Sequence, residues 1–311
     1  MKTKLGLGVL CGLGALFMSM AAQAEVMLGA DIELDTTMTT NSGGSTGDVY
    51  NQGGRVLVTA SGKKEGESGG YVEAKGQVLV KVDGTTGVDD AWVKLGMNQF
   101  GVKLGRFEAM ELFAKGPDTI YNVIGNTHSY GASAARGRFG ADGVGAVMFD
   151  YAPTDNTKFE LNTVWGTSDA VTGYRPAVSV GLGNGVTLGA GYDYLEDGDD
   201  KTKGYGLTAA YSNDAMTVKG SVANGKNTTN GVENWKNTSY NVNVTSGPFG
   251  IGYTSSEDDG GDSASTIYGR YQMFNLMGVK DVTGTLAFSA AEADSAAEDE
   301  LAVRYRINYA F

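Results

Sequence analysis

The chain has very little cysteine and proline: of its 311 residues, one is cysteine and four are proline. The cysteine, Cys11, lies in an N-terminal segment that we expect to be cleaved off. Residues 25–311 therefore hold no thiol, which excludes a disulfide framework and a thiolate metal site. Whatever fold they form has to be stabilised by hydrogen bonding and packing, without covalent cross-links.

Helical periodicity and long apolar runs are also absent from residues 25–311. A membrane-spanning helix needs roughly 20 consecutive, mostly apolar residues, and no segment there comes near that length. No long segment repeats its apolar residues with the 3.6-residue period of a surface helix. These absences favour β-structure, and they leave a closed barrel as the form in which such a chain could cross a membrane.

Basic residues and histidine are scarce as well. The formal net charge is −12, which disfavours a nucleic-acid partner. A serine hydrolase needs a base beside its nucleophile, yet His128 is the only histidine and lies in a polar stretch. Residues 131–135 fail the G-x-S-x-G pattern, and no glycine-rich stretch completes G-x-G-x-x-G. The sequence therefore predicts no enzyme, no cofactor and no metal site.

The first 24 residues have the composition of an export signal. Two lysines precede an uncharged, apolar stretch at residues 5–21. Ala22-Gln23-Ala24 then matches the small-x-small cleavage pattern of signal peptides. We expect residues 1–24 to be a signal peptide and residues 25–311 to be the exported domain.

Alternation of apolar and polar residues with period two is the dominant pattern after residue 25. In the last segment, apolar side chains occupy every second position from Leu301 to Phe311, and arginines and smaller residues lie between them. Such alternation is typical of a strand with one face toward an apolar environment and the other toward water. The pattern predicts about sixteen strands, near residues 26–35, 54–63, 70–80, 88–96, 99–106, 136–151, 157–166, 173–182, 185–194, 203–212, 215–223, 236–246, 248–256, 264–274, 280–290 and 299–311.

Connections and aromatic residues indicate how these strands are arranged. Tight joints such as 97–98 alternate with longer ones such as 36–53, 195–202 and 224–235, an asymmetry typical of outer-membrane barrels. With the strands laid up and down in order, outward aromatic side chains fall into two bands, like the girdles at the two lipid–water interfaces. The fold class predicted is all-β, a transmembrane antiparallel β-barrel of about sixteen strands in the outer membrane of a Gram-negative cell.

The longest connection, residues 107–135, differs from the others in both length and composition. It combines three acidic residues with apolar groups that a purely external loop would seldom hold. We expect this third loop to fold inward and to narrow the pore, with arginines on the wall and acids on the loop setting up a transverse field. The predicted constriction comprises Arg106, Glu108, Glu111, Asp118, Arg136 and Arg138.

Charged residues recur at the parity opposite to the apolar face. Charges that point into a packed core are costly unless they are paired, whereas charges in a water-filled channel cost little. A strand count of this size also makes a barrel wide enough for an aqueous lumen. The predicted lumen wall includes Arg55, Lys75, Arg270, Arg304 and Arg306.

Asp90-Ala91-Trp92 through Gly105-Arg106-Phe107-Glu108, together with the terminal Phe311, resemble the trimeric porins of Gram-negative bacteria. The resemblance implies a third loop inside the lumen, a C-terminal aromatic strand used as an assembly signal, and a homotrimer. It also implies that Arg106 and Arg136 or Arg138 are wall arginines facing the loop acids. One segment departs from the enterobacterial general porins, because residues 115–119 read Lys-Gly-Pro-Asp-Thr instead of Pro-Glu-Phe-Gly-Gly.

The loop is more similar to that of the raffinose-type glycoporins, in Arg-Phe-Glu-Ala at 106–109, Leu-Phe at 112–113 and Gly-Pro-Asp-Thr at 116–119. This second resemblance implies carbohydrate transport, for which lumen aromatics would provide stacking surfaces. The alternative is that these rings fill the space between loop and wall. The candidate stacking residues are Tyr71, Trp92, Phe113, Tyr121 and Tyr268.

The function predicted is an outer-membrane porin, a passive diffusion channel for small hydrophilic solutes and ions. A preference for sugars and the choice between cations and anions stay open, since acidic mouths and a basic wall act in opposite directions. An adhesin or receptor barrel and a barrel enzyme are the competing classes. The partners expected are outer-membrane lipid, lipopolysaccharide and small solutes, oligosaccharides among them.

Overall fold

A computed structural model describes residues 25–41, 47–122, 132–140, 143–166, 171–296 and 299–311. Within these ranges the chain forms sixteen strands and two short 3-10 turns, at Asp118–Ile120 and Leu276–Gly278. No helix among the described residues is long and apolar enough to span a membrane. The strands are β1 (Glu25–Thr40), β2 (Val49–Glu65), β3 (Gly70–Lys81), β4 (Thr86–Met97), β5 (Phe100–Arg106), β6 (Val144–Thr154), β7 (Thr157–Gly166), β8 (Thr172–Gly183), β9 (Val186–Asp197), β10 (Asp200–Ser212), β11 (Thr217–Thr229), β12 (Val232–Ser246), β13 (Phe249–Asp258), β14 (Ser263–Phe274), β15 (Val282–Ala293) and β16 (Glu300–Ala310).

The sheet is closed. Every strand pairs antiparallel with its neighbours in sequence, and β1 pairs with β16 from Asp31 opposite Ala310 to Thr40 opposite Leu301. Closure leaves no strand edge, so the backbone groups of each strand find partners in the next strand and not in lipid. The predicted fold class, an antiparallel barrel of sixteen strands, is confirmed.

Side chains alternate between the two faces of the barrel as the period-two pattern predicts. In β16, Leu301 and Val303 are about half exposed on the outer face, whereas Arg304 and Arg306 are only 5% exposed on the inner one. The outer face is apolar because it meets lipid, and the polar groups are inside. The described interior is therefore polar, with no continuous apolar core.

Aromatic rings mark both ends of the outer face. Phe100 stacks on Tyr151 with ring centroids 4.4 Å apart, at the end of the barrel that holds the chain termini. At the opposite end, Tyr174 stacks on Tyr194 at 5.2 Å, and Trp165 is exposed on the surface. The two predicted bands thus lie at opposite barrel ends, as rings at lipid–water interfaces do.

Several predicted element bounds were wrong, mostly because polar residues were interpreted as loops. β1 and β2 extend to Thr40 and from Val49, so most of the predicted loop 36–53 is strand. β11 and β12 meet at a two-residue turn, Asn230-Gly231, whose positive φ angles of 51° and 81° suit a tight hairpin. β9 and β10 meet at residues 198–199 in the same way. Apart from the third loop, the described connections at the barrel end opposite the chain termini are short.

Two further sequence predictions concern the N-terminal segment and the third loop. Residues 1–24, the predicted signal peptide, lie outside the described residues. β6 begins at Val144 and not at residue 136, so the third connection runs from 107 to 143. Within it the described parts are the outgoing limb, residues 107–122, and the returning limb, residues 132–140.

Candidate functional site: the constriction loop and the wall around it

The outgoing limb lies inside the barrel, which confirms the predicted inward fold. It is attached to the inner wall strand by strand through hydrogen bonds of its backbone. Ala114 N donates to Ser221 Oγ on β11 at 3.0 Å, and Asn243 Nδ2 on β12 donates to the carbonyl of Ala114 at 2.7 Å. Tyr268 Oη on β14 donates to the carbonyl of Lys115 at 2.9 Å. The limb therefore crosses the lumen along one side of the wall.

The root of the loop rests on β7, β8 and β9. We call the ion pair between Arg175 and Asp193 the root anchor. Its Nη1 and Oδ2 atoms are 3.2 Å apart, and both side chains are fully buried. Arg175 Nη2 also donates to the carbonyl of Met110 at 2.9 Å, and Ala135 N donates to Asp193 Oδ1 at 3.1 Å. Outgoing and returning limbs are thus bound by one pair of side chains.

The tip of the outgoing limb rests on β14 and β16. We call the contact of Asp118 with Arg304 and Arg306 the tip anchor. Arg306 Nη1 lies 2.5 Å from Asp118 Oδ2, and Arg304 Nη2 donates to the carbonyl of Asp118 at 2.9 Å. Arg270 contributes a further hydrogen bond to the hydroxyl of Thr119. Unlike the root, this contact is open to the lumen, because the Asp118 side chain is 69% exposed.

Charge around the tip keeps Asp118 ionised. Its enclosure in the barrel would by itself raise the pKa of the carboxyl, but the charge and hydrogen bond of Arg306, together with the charges of Arg304 and Arg55, outweigh this and hold the pKa below its usual value. For Lys115, three residues earlier, burial dominates and lowers the pKa of the ammonium group. An ionised Asp118 therefore offsets part of the positive charge of the wall arginines.

Other carboxylates balance the same arginines. Arg306 is bidentate to Asp35, with Nε–Oδ1 and Nη2–Oδ2 both at 2.7 Å. Arg55 Nε lies 2.7 Å from Glu33 Oε2. Charge-assisted pairs of this geometry hold planar guanidinium groups in one orientation. The predicted wall arginines Arg55, Arg304 and Arg306 are thus lumen residues, fixed in place by acids from β1.

A second chain of charges joins the returning limb to β3 and β4. Arg138 Nη1 donates to Glu108 Oε1 at 2.9 Å, and Arg138 Nε to Asp90 Oδ1 at 2.9 Å. Lys75 Nζ donates to the other oxygen of Asp90 at 3.0 Å. Arg136 Nη2 bridges Glu108 and Glu111 at 3.0 and 3.2 Å. In this chain three cations meet four carboxylates, Asp89 included.

This arrangement corrects the predicted positions of three arginines. Arg136 and Arg138 lie on the returning limb and not on the strand wall, and they pair directly with the loop acids instead of facing them across the pore. Arg106 donates to the carbonyls of Val88, Asp89 and Arg138, because Gly105 (φ 119°) interrupts the alternation of β5. Arg106 therefore binds the backbone of β4 and of the returning limb.

The loop covers one side of the lumen and leaves the other open. On β12 to β15 the buried inward side chains are uncharged, and Asn243, Thr254 and Thr285 are at most 2% exposed, whereas Arg270 on β14 is a partly buried exception. On β2 to β4 the inward side chains are charged, and Arg55 and Lys75 remain 39% and 30% exposed. We expect the open passage to run along this charged wall, where side chains keep contact with water.

The five candidate stacking residues divide between these two sides. Phe113 and Tyr268 are 1% and 0% exposed beneath the loop, so the prediction that they stack on solutes was wrong. Their rings fill the space between loop and wall, the alternative that the sequence left open. Tyr71, Trp92 and Tyr121 are only partly buried. Cations lie over their rings: Arg304 is 4.2 Å from the centroid of Tyr121, and Lys103 Nζ is 4.5 Å from that of Trp92.

Two groups of site residues were not singled out in the sequence. Asp193 alternates with the outward Tyr192 and Tyr194, so its parity alone places it inside the barrel. Asn243 and Ser221, which hold the loop backbone, carry no signal that distinguishes them from other polar strand residues. His128 lies outside the described residues.

Comparisons with known proteins agree with this geometry. The family model described as "porin-like glycoporin RafY" matches residues 33–176, which include the constriction loop and the open wall on β2 to β4. Over these residues, which make up less than half of the chain, the sequence is similar to the porin family. No curated protein matches its sequence.

Solved porin structures share the fold of this chain at low sequence identity. The anion-selective porin from Comamonas acidovorans has a TM-score of 0.71 and 14% identity, over 93% of this chain and 100% of the other. OmpT of Vibrio cholerae, an outer membrane protein in trimer form, has a TM-score of 0.70 and 10% identity, over 93% and 100%. A mutant of the Rh. blastica porin has 0.66 and 17%, over 92% and 100%. Identities this low establish the fold of this chain alone.

Proposed function

We propose that this porin lets small hydrophilic solutes and ions diffuse passively across the outer membrane, with a preference for sugars. The observation that carries the proposal is the position of the third loop, which is fixed against the neutral wall, while Lys75 on the charged wall stays partly exposed inside the barrel. A charged, hydrated passage lets ions and polar solutes through and excludes apolar ones. The barrel enzyme is disfavoured, because the charged groups of the passage pair with one another and suit electrostatic filtering.

The sugar preference rests on three partly exposed rings. Tyr71 and Trp92 lie on β3 and β4 of the open wall, and Tyr121 lies near the tip anchor. Built onto Gly96, a Cβ atom would lie 2.1 Å from Tyr71 Cζ, so the missing side chain gives that ring room to lie flat on the wall. Aromatic faces flanked by charged hydrogen-bonding groups suit sugar rings, which have apolar faces and polar edges. The match to the glycoporin family model covers all three residues.

Planar-bilayer recording tests both parts of the proposal. The protein is purified in detergent and inserted into a bilayer, and maltose, raffinose and chito-oligosaccharides are titrated against the open current. Stepwise conductance is expected, with concentration-dependent block by at least one sugar that Trp92→Ala weakens and Trp92→Phe retains. Conductance without sugar block would leave a general porin, and no conductance would refute the channel.

Assembly and export complete the proposal. We expect a homotrimer in outer-membrane lipid and lipopolysaccharide, in keeping with the trimer form of the similar Vibrio cholerae protein. We also expect residues 1–24 to be removed on export. Cross-linking of the purified protein and N-terminal sequencing of the mature chain, which should begin at Glu25, test these two points.

A further inference from the structure

The ion pair of Arg175 and Asp193 is buried in a place where burial is unusual. The two residues face the interior of the barrel on adjacent strands, β8 and β9, yet neither side chain is exposed. Most charges of the open lumen wall keep contact with water, Arg55 and Lys75 among them. A pair removed from water is unfavourable unless its remaining donors and acceptors are satisfied.

The loop backbone supplies those partners. Arg175 donates to the carbonyl of Met110 at 2.9 Å and to that of Ala132 at 3.2 Å. Asp193 accepts from the backbone N–H of Ala135 with both carboxylate oxygens, at 3.1 and 3.2 Å. The first contact is on the outgoing limb and the other two are on the returning limb. One ion pair thus fixes the spacing of the two limbs and their distance from the wall.

The neighbouring wall is shaped to receive the same part of the loop. Leu112 is fully buried against β9 and β10 at two glycines. Built onto Gly191, a Cβ atom would lie 2.5 Å from Leu112 Cδ1, and one on Gly206 would lie 2.7 Å from Leu112 Cβ. Any larger residue at these positions would push the loop toward the lumen. The packing of Leu112 is independent of the ion pair, but it holds the same part of the loop, two residues after Met110.

We infer that Arg175 and Asp193 are positioning residues for permeation, which set the size of the open passage by holding the root of the constriction loop on the glycine-lined patch of β9 and β10. The inference rests on the proposed channel function. Adjacent side chains support it: Glu160 accepts from Met110 N at 2.9 Å, and Asn162 Nδ2 donates to the carbonyl of Ala135 at 2.8 Å. The barrel itself is closed by backbone hydrogen bonds, which do not involve these two side chains.

Single-channel recording with polymer exclusion tests the inference. Arg175→Met and Asp193→Asn each break the pair, and both should change the conductance and shift upward the size of poly(ethylene glycol) that is excluded. Lys201→Met is the matched control, since it breaks an exposed ion pair with Glu196 at the rim (Nζ–Oε1 3.0 Å) and should alter neither. Gly206→Ala displaces Leu112 without changing any charge and should also alter the exclusion size.

The outcomes separate the inference from the channel function and from a merely structural role. Wild-type protein that does not conduct would overturn the proposed function. Wild-type conduction with an unchanged exclusion size in Arg175→Met, Asp193→Asn and Gly206→Ala would overturn the inference and leave the channel. Circular dichroism checks that each variant keeps its β-structure. If Arg175→Met fails to fold, Gly206→Ala and Asp193→Asn decide by the same readout.

Discussion

The two anchors of the constriction loop use the same chemistry in opposite surroundings. At the root, Arg175 and Asp193 are shut off from water, and their spare donors and acceptors bind loop backbone. At the tip, the exposed carboxylate of Asp118 meets Arg304 and Arg306, which are themselves nearly buried. An arginine–aspartate contact fixes structure where water is excluded and shapes the field that solutes meet where water remains. Substitutions at each anchor test this difference in role.

Breaking the root pair should have the largest effect on stability. Arg175→Met leaves Asp193 buried without its cation, and removal of one partner of a buried pair costs about 3–5 kcal/mol. Urea or thermal unfolding of the purified barrel would measure this loss. In the double variant Arg175→Met, Asp193→Leu both charges are gone, and most of the stability should return while the loop stays displaced. Equal stability of Arg175→Met and wild type would contradict the burial argument.

Arg138→Ala should change ion selectivity more than stability. Arg138 is 28% exposed and pairs with Asp89, Asp90 and Glu108. Its removal leaves carboxylates in excess, so the reversal potential in a salt gradient should shift toward cations. The shift should be larger in 0.1 M than in 1 M salt, because the screening length falls from about 10 Å to about 3 Å. Lys280→Ala, the same charge change in an exposed turn, is the control and should leave selectivity unchanged.

Asp118→Asn should shift selectivity in the other direction. Arg304 and Arg306 would lose an anionic partner, so anions should become more favoured, whereas stability should fall by no more than about 1 kcal/mol at so exposed a contact. Asp83→Asn, in the turn between β3 and β4, removes the same charge outside the lumen and serves as control. A shift toward cations, or none, would show that the tip does not act on permeating ions.

The pH dependence of wild type tests the same contact. Because Arg306 lowers the folded-state pKa of Asp118, the carboxylate stabilises the folded loop above its unfolded pKa and loses this contribution only as the pH falls through the lower, folded value. Wild type and Asp118→Asn should therefore differ in reversal potential at pH 7 and at pH 5. The two should converge only well below about pH 3.9, the usual pKa of an aspartate. Convergence already at pH 5 would contradict the assigned shift.

Tyr268→Phe should have the smallest effect on permeation. The variant loses the hydrogen bond to the carbonyl of Lys115 and the one accepted from Asn241, at a cost of about 0.5–1.5 kcal/mol each. Block of the current by sugars should not change, since the ring is inaccessible beneath the loop. A clear loss of sugar block in Tyr268→Phe, without a change in open conductance, would mean that solutes reach the neutral wall.

The strands could be predicted because lipid imposes a local rule on them. Leu301 and Val303 have to face outward and Arg304 and Arg306 inward, and that alternation is written in adjacent residues. Polar stretches such as 36–40 and 224–229 lie past the part of the strands that faces lipid, so they show no such alternation. They were interpreted as loops, although they are paired strand. Backbone pairing continues there because the two strands of a hairpin hydrogen-bond to each other whether or not lipid surrounds them.

The constriction was predicted in part. Its loop, its acids and its arginines were identified from length and composition, but the partners were not. Nothing in the sequence shows that Arg138 pairs with Glu108, thirty residues earlier, or that Arg106 binds backbone carbonyls. These contacts depend on a change of direction at Gly105 and on where the returning limb lies.

By itself the sequence determined that this protein is a closed barrel with a polar interior, because period-two alternation and a chain without long apolar runs leave few other ways to satisfy backbone groups in lipid. Only the tertiary structure decided which side of the lumen stays open. The choice depends on contacts between residues far apart in sequence, such as Asn243 with Ala114 and Tyr268 with Lys115. Local patterns do not encode such pairings, since each is specified by the shape of the wall that the closed barrel creates.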